Sequence, residues 1–285
     1  QLAGVFPVLC KVDVMIDRDD SLKVAEVDGL NKRALGYAIL QRKIAVLFEQ
    51  NPKRFFPGNE HVLKDILGNK TLFVVVPGRE KYYRFGFDTL TTALRDLGVE
   101  ALWGHEKAAV KFLRTANSES VVLLDCPRSG HVELDTLLMD HWEVLIPNHQ
   151  IFSSKENLVG MENNLIPKTS VMDVVADKPP VAPFKKFVLK ATNRSGSKGI
   201  FFWDELPQEV PPGRYVIQEI VEGREFEFSY FDKNENLVTT PGWQVRLIVT
   251  LDLLRGLVVD VDVTSCGGRL IHGMAESIQI AGVRE

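Results

Sequence analysis

Between residues 71 and 148, short apolar and β-branched runs alternate with helical segments of about three turns, and this alternation limits the fold more than any other feature of the chain. "TLFVVV", "VEALW", "SVVLLD" and "WEVLIPN" are of strand length, and "FDTLTTALRDLG", "HEKAAVKFLRT" and "VELDTLLMD" lie between them. Parallel strands need a crossover long enough to carry the chain back, so strand-helix repeats of this kind wrap a parallel sheet in helices. A small doubly wound α/β lobe is therefore expected over residues 70–150. Its first strand runs into "VVVPGREKYYRFG", which has neither the Gly-x-Gly-x-x-Gly fingerprint nor a Walker loop, so this lobe offers no obvious nucleotide site.

The flanking regions read differently. Residues 1–50 hold a strand pair, "KVDVMIDRDDSLKVAEVDG", and then "RALGYAILQRKIAVLFEQ", whose Leu35, Ile39, Ile44, Leu47 and Phe48 fall near helical spacing and predict an apolar stripe facing the core. The Pro and Gly of "NPKRFFPG" stop that helix. Residues 151–285 open on "SSKENLVGMENN", a predicted helix with Ser154 as its cap, and then turn largely β. "KFVLKATNRSGSKGIFFW" reads as strand, loop and strand, "RYVIQEIVEGREFEFSYFD" as two strands around a Gly turn, and "GWQVRLIVTLDLLRGLVVDVDVTSC" as a long hairpin. The expected class is α/β with α+β lobes: a helix-flanked antiparallel sheet attached to a small parallel lobe.

Composition narrows the function classes. The chain has 285 residues, 45% hydrophobic and 25% charged, enough to bury a sizeable core. Its net charge of -4 comes with no basic tract interleaved with aromatic residues, so a nucleic-acid partner is not expected. No apolar run reaches the length of a membrane span and no signal segment opens the chain, which predicts a soluble, cytoplasmic protein with no membrane partner. Cys10, Cys126 and Cys266 match no metal knuckle or redox pair and read as buried thiols in a reducing compartment. The chain opens at Gln1, almost directly on a strand, which leaves open whether an N-terminal part precedes it. Nothing in the residues sets an oligomeric state.

Chemistry is concentrated in three stretches. Glu26 and Asp28 sit two apart on a strand, hence on one face, with Asp13 on the preceding strand. They form either the solvated edge of a hairpin or a divalent-metal site, because carboxylates this close repel unless a cation lies between them. Lys190 ends an apolar strand just before "NRSGSKG", where Asn193, Arg194, Ser195, Gly196, Ser197, Lys198 and Gly199 make either a plain hairpin turn or a flap whose backbone N–H groups fold over a triphosphate. "YVIQEIVEG" places Gln218 and Glu219 at a strand end, where an adenine amino group could be met.

Together these stretches resemble the ATP-grasp superfamily. "KVDVMI…VAEVDG" is similar to the metal-binding strand pair of D-alanine-D-alanine ligase, with the same offset of 13 from Asp13 to Glu26 and then of 2 to Asp28. Its place at the start of the chain resembles the circularly permuted members, eukaryotic-type glutathione synthetase and glutathionylspermidine synthase. The resemblance implies ATP and Mg2+ as cofactors, and Lys155 and Lys190 as phosphate contacts approaching from opposite lobes. It also implies a flap formed by Ser195, Gly196, Ser197, Lys198 and Gly199, and an adenine hinge at Gln218, Glu219 and Ile220. The implied metal ligands are Asp13, Glu26 and Asp28, with Asn193 as a further candidate; Lys11, Asp13 and Arg246 fall in catalytic positions. Arg269 and His272 are further candidates to hold phosphate or a carboxylate. Three positions depart from the family: Lys11 stands for an arginine, Asp28 for a neutral amide, and Arg194 for a loop glutamate. The activity so implied is ATP-dependent carboxylate-amine ligation through an acyl phosphate, releasing ADP and phosphate, with small-molecule carboxylate and amine substrates. The alternatives are an ATP-binding protein without ligase activity and a small-molecule kinase.

Overall fold

Period-2 alternation in a single strand organises the wound unit. The computed structural model describes residues 9–29, 32–48, 54–76, 84–116, 120–123, 131–141, 143–145, 155–175, 184–192, 199–207, 210–232, 234–253, 255–267 and 278–281. The parallel sheet has the order β4-β3-β5-β6, with β3 at Thr71–Val75, β4 at Ala101–Gly104, β5 at Ser120–Leu123 and β6 at Glu143–Leu145. From β3, Leu72 and Val74, with Val76 just beyond, face one core shared by Leu35, Ile39, Leu63, Phe87 and Leu90, while Phe73 and Val75 face a second with Ala109, Val110, Leu113 and Leu134. The first core is roofed by α1 (Lys32–Val46), α2 (Asn59–Leu67) and α3 (Arg84–Asp96), the second by α4 (Glu106–Thr115) and α5 (Val132–His141). A strand buried on both faces reads as a continuous apolar run, which "TLFVVV" is.

Helix α1 forms as its spacing predicts, but its stripe is only half used. Leu35 and Ile39 are fully buried, whereas Ile44, Leu47 and Phe48 are exposed. The N-terminal half of α1 lies against α3 at a backbone crossing: a Cβ on Gly36 would fall 1.8 Å from the Gly86 carbonyl oxygen. Helix α2 was hidden from sequence reading by the Pro and Gly on its N-terminal side.

The β-rich remainder forms two antiparallel sheets, the antiparallel lobes expected beside the wound unit. The first has the order β14-β13-β12-β1-β2, with β1 at Leu9–Ile16, β2 at Leu22–Gly29, β12 at Leu237–Asp252, β13 at Leu257–Cys266 and β14 at Ile278–Ala281; β11 (Glu225–Phe231) also pairs with β12. The second has the order β7-β10-β8-β9, with β7 at Thr169–Val174, β8 at Phe187–Ala191, β9 at Ile200–Phe202 and β10 at Gly213–Glu219. Strands β10 and β11 flank the expected Gly turn, yet they enter different sheets. The chain around Gly223 bonds to the β1–β2 turn instead, through a bridge to Asp17, Arg18 N–H to Glu222 O (3.1 Å) and Arg224 N–H to Ile16 O (2.8 Å). The predicted helix over "SSKENL" is a single 3-10 turn, Lys155–Leu158; Gly160, in the left-handed region at φ 74°, ends it, and Ser154 lies outside the described residues. Among the described residues no helix is long and apolar enough to cross a membrane.

Candidate functional site

Strand register decides which side chains meet. Across the six-stranded sheet Asp13 lies opposite Glu26 on one side and Ile248 on the other, and Ile248 lies opposite Asp262. Two residues along in each direction, Lys11 aligns with Asp28, Thr250 and Asp260, and Met15 aligns with Arg246 and Thr264. Residues two apart on a strand share a face, so one face of this sheet gathers Lys11, Asp13, Arg246, Asp260, Asp262 and Thr264. The alternate residues Val12, Val14, Leu247 and Val249 form the apolar opposite face with Val24 and Val27. Asp13 is 2% exposed and sits between two cations: Lys11 Nζ is 3.1 Å from Oδ1 and an Arg246 guanidinium nitrogen is 3.3 Å from Oδ2. The side chain of Asp28 lies outside the described residues.

Lys190 reaches this face from the other sheet. It sits on β8 opposite Val216 of β10, and its ammonium donates to Gln218 Oε1 (2.7 Å) and, in the other sheet, to the Ala25 carbonyl of β2 (3.2 Å). Burial pulls its pKa below the ordinary lysine range, while the Glu26 and Asp13 carboxylates work the other way and Lys155 adds to the lowering. Lys155 is thus a neighbour of Lys190. Its own ammonium donates to the Ala191 carbonyl at 2.7 Å, and the 3-10 turn that carries it packs against β2 of one antiparallel sheet and β7 of the other.

Gln218 is buried with a fixed amide, its oxygen taken by Lys190 and its nitrogen donating to Thr169 Oγ1 at 3.3 Å. The N–H groups of Glu219 and Ile220 are bonded to the carbonyls of Lys168 (2.8 Å) and Lys186 (3.2 Å), so an adenine edge at this hinge would be met by other groups. Gly199, at φ 81°, accepts from Ala191 N–H (2.8 Å) and closes the loop that follows β8. Asn193, Arg194, Ser195, Gly196, Ser197, Lys198, Arg269 and His272 lie outside the described residues.

Sequence reading missed the depth of the polar face. The run "VVDVDVT" alternates Asp260, Asp262 and Thr264 with valines, a period-2 signal that sends all three inward. Arg42 of α1 forks between Glu60 of α2 and Asp260 of β13, tying both helices to the sheet by a buried charge network. Asp262 hydrogen-bonds the Gln41 side chain, and burial pushes its carboxyl up to about 7.

The residues fit Mg2+ only in one way. Among the described residues no three acidic, histidine or cysteine side chains converge on a point, and both oxygens of Asp13 face cations. That leaves Glu26, opposite Asp13 on β2, as the one expected carboxylate among the described side chains for a cation held mainly by phosphate oxygens and water.

No family model matches the chain, and no curated protein matches it. A solved structure of a glutathione synthetase-like effector from Globodera pallida, in its apo form, is similar at a TM-score of 0.50 and 13% identity, over 96% of this chain and 74% of that one. At that identity the likeness concerns fold alone. It is a mixed α/β fold of glutathione synthetase-like type, consistent with an ATP-grasp-like architecture.

Proposed function

We propose that the chain is an ATP-dependent ligase that joins a carboxylate to an amine. The observation that carries this reading is Lys190: a half-buried ammonium projecting from one antiparallel sheet to the other, with Lys155 beside it and Lys11 and Arg246 on the opposing face. Cations gathered between two sheets favour an anion there, and a triphosphate bound with Mg2+ meets that description. Glu26, with Asp28, would hold Mg2+, which supplies charge neutralisation on the phosphates when bound. Lys190 and Lys155 would orient the phosphates, and Lys11 and Arg246 would bind the oxygens of the carboxylate substrate. A carboxylate is a poor electrophile, and charge placed at the far end of a triphosphate favours its activation as an acyl phosphate.

The test is product analysis of the Mg2+-ATP reaction with a panel of carboxylates and primary amines. ADP and phosphate, formed only when both substrates are present, are expected. AMP and pyrophosphate would overturn the mechanism, and ADP formed without any amine would favour a kinase. In parallel, Lys190→Ala should weaken ATP binding roughly tenfold to a hundredfold, the equivalent of about 1.5 to 3 kcal/mol for a charge-assisted contact. Unchanged affinity in a titration would remove Lys190 from the nucleotide site.

A further inference from the structure

The polar sheet face holds more acid than the nucleotide reading uses. Asp260 is matched by Arg42, and Asp13 by Lys11 and Arg246. Asp262 is different. It is 4% exposed, one of its oxygens is bonded by Gln41, and its Oδ1 has no hydrogen-bond partner among the described residues. Thr264, next along the same face and 0% exposed, likewise has a hydroxyl without a partner. A buried carboxylate oxygen and a buried hydroxyl, two residues apart on one strand face and both unmet, mark a place for a group that donates more than one hydrogen bond.

The surroundings specify that group. Arg246, its side chain 20% exposed, lies opposite Thr264 and close to Asp262, so the two acceptors stand at the edge of the cationic cluster and not apart from it. A carboxylate or phosphate would be repelled by Asp262 and has four cations to choose from nearby. An amine substrate, protonated in water, is repelled by those cations and needs an anion of its own to approach a carboxylate bound at Lys11 and Arg246. Asp262 supplies that anion at the right edge of the cluster once it is ionised, a form that a bound ammonium itself favours, and a primary ammonium has three N–H donors to share between Asp262 Oδ1 and Thr264 Oγ1.

Resting on the ligase reading, we infer that Asp262 and Thr264 form the docking point for the protonated amino group of the nucleophilic substrate, which is therefore a primary amine. The probes are ethylammonium, its uncharged analogue ethanol and the donor-free cation tetramethylammonium, each followed by ligand-observed NMR titration of the full chain, with Mg2+-ATP titrated separately. Saturable binding of ethylammonium alone is expected. Asp262→Asn should weaken it tenfold or more, and Thr264→Val by a smaller factor, while both variants bind ATP as the unmodified chain does. Equal binding of ethylammonium to the unmodified chain and to both variants, or no saturable binding, would overturn the inference even where ATP binds and ADP forms. Ethylammonium binding that depends on Asp262 in a chain that binds no ATP would uphold the cation site and sink the ligase reading.

Discussion

Asp262 gives the residue scale its clearest test. Its ordinary carboxyl value is 3.8, and burial raises it to about 7 in the folded chain. A carboxyl that holds its proton more tightly when folded stabilises the fold fully below its unfolded value, and that contribution is lost as pH rises toward the folded value. A shift of about three units corresponds to roughly 4 kcal/mol. Asp262→Asn removes this titration, so its stability relative to the unmodified chain should improve steadily between pH 4 and 7 and level off above. Urea unfolding at pH 5 and pH 8 checks this; a difference that does not change with pH would mean that Asp262 is ionised throughout. The neighbours that set the value, Asp260, Arg246, Asp13 and Gln41, come from β1, β12, β13 and α1. No local window of sequence contains them all, which is why a residue lying in plain sight within "DVDVT" drew no attention when read alone.

At the scale of elements, the crossing of α1 and α3 is set by two glycines. Gly36→Ala would drive a methyl into the Gly86 backbone, where no side chain can swing aside, so the helices must separate. The cost should be at least the 1 to 3 kcal/mol typical of overpacking, seen as a lower midpoint in thermal unfolding. Gly68→Ala is the contrast, since no heavy atom within 4 Å would meet its new methyl and only its positive φ opposes the change; a loss at Gly36 no larger than at Gly68 would mean the crossing adapts. Strands and helices with strong periodicity were legible: β3 through α5 stand where the alternation put them. The allocation of strands to sheets was not. "VIQEIVEGREFEF" looks like a hairpin because its turn residue is right, but the N–H and C=O groups around Gly223 find partners at Arg18 and Ile16, some two hundred positions away. Of the site, Asp13, Glu26 and Lys190 were legible as individual residues, while the pairing of Asp13 with both Lys11 and Arg246 required strand register that no sequence pattern states.

On the scale of the whole molecule, the proposed ligand would join two sheets that the chain itself already joins. Among the described residues, Lys190 bonds to Ala25, and Lys23 and Val24 of β2 bond to the Asn164 carbonyl (2.7 Å) and Leu165 O (2.7 Å) of the segment leading into β7. A nucleotide bound to both sheets adds to them and, at a hundred times its dissociation constant, stabilises the fold by about 2.7 kcal/mol. The thermal midpoint should therefore rise by several degrees with Mg2+-ATP; an unmoved midpoint at that concentration would speak against a nucleotide site. The same sheet has a temporal side. Its central strand β1 pairs Leu9 with Asp252 and Met15 with Arg246, partners 243 and 231 positions apart. At about 5 to 20 residues per second, a chain emerging from the ribosome leaves that strand edge waiting for roughly ten seconds to most of a minute. Waiting strand edges recruit the wrong neighbours, and inward-pointing charge is one of the ways such edges are kept from doing so. Lys11 and Asp13 put opposite charges on that strand from the start, inward-pointing charge of the kind that disfavours such mispairing until β12 arrives.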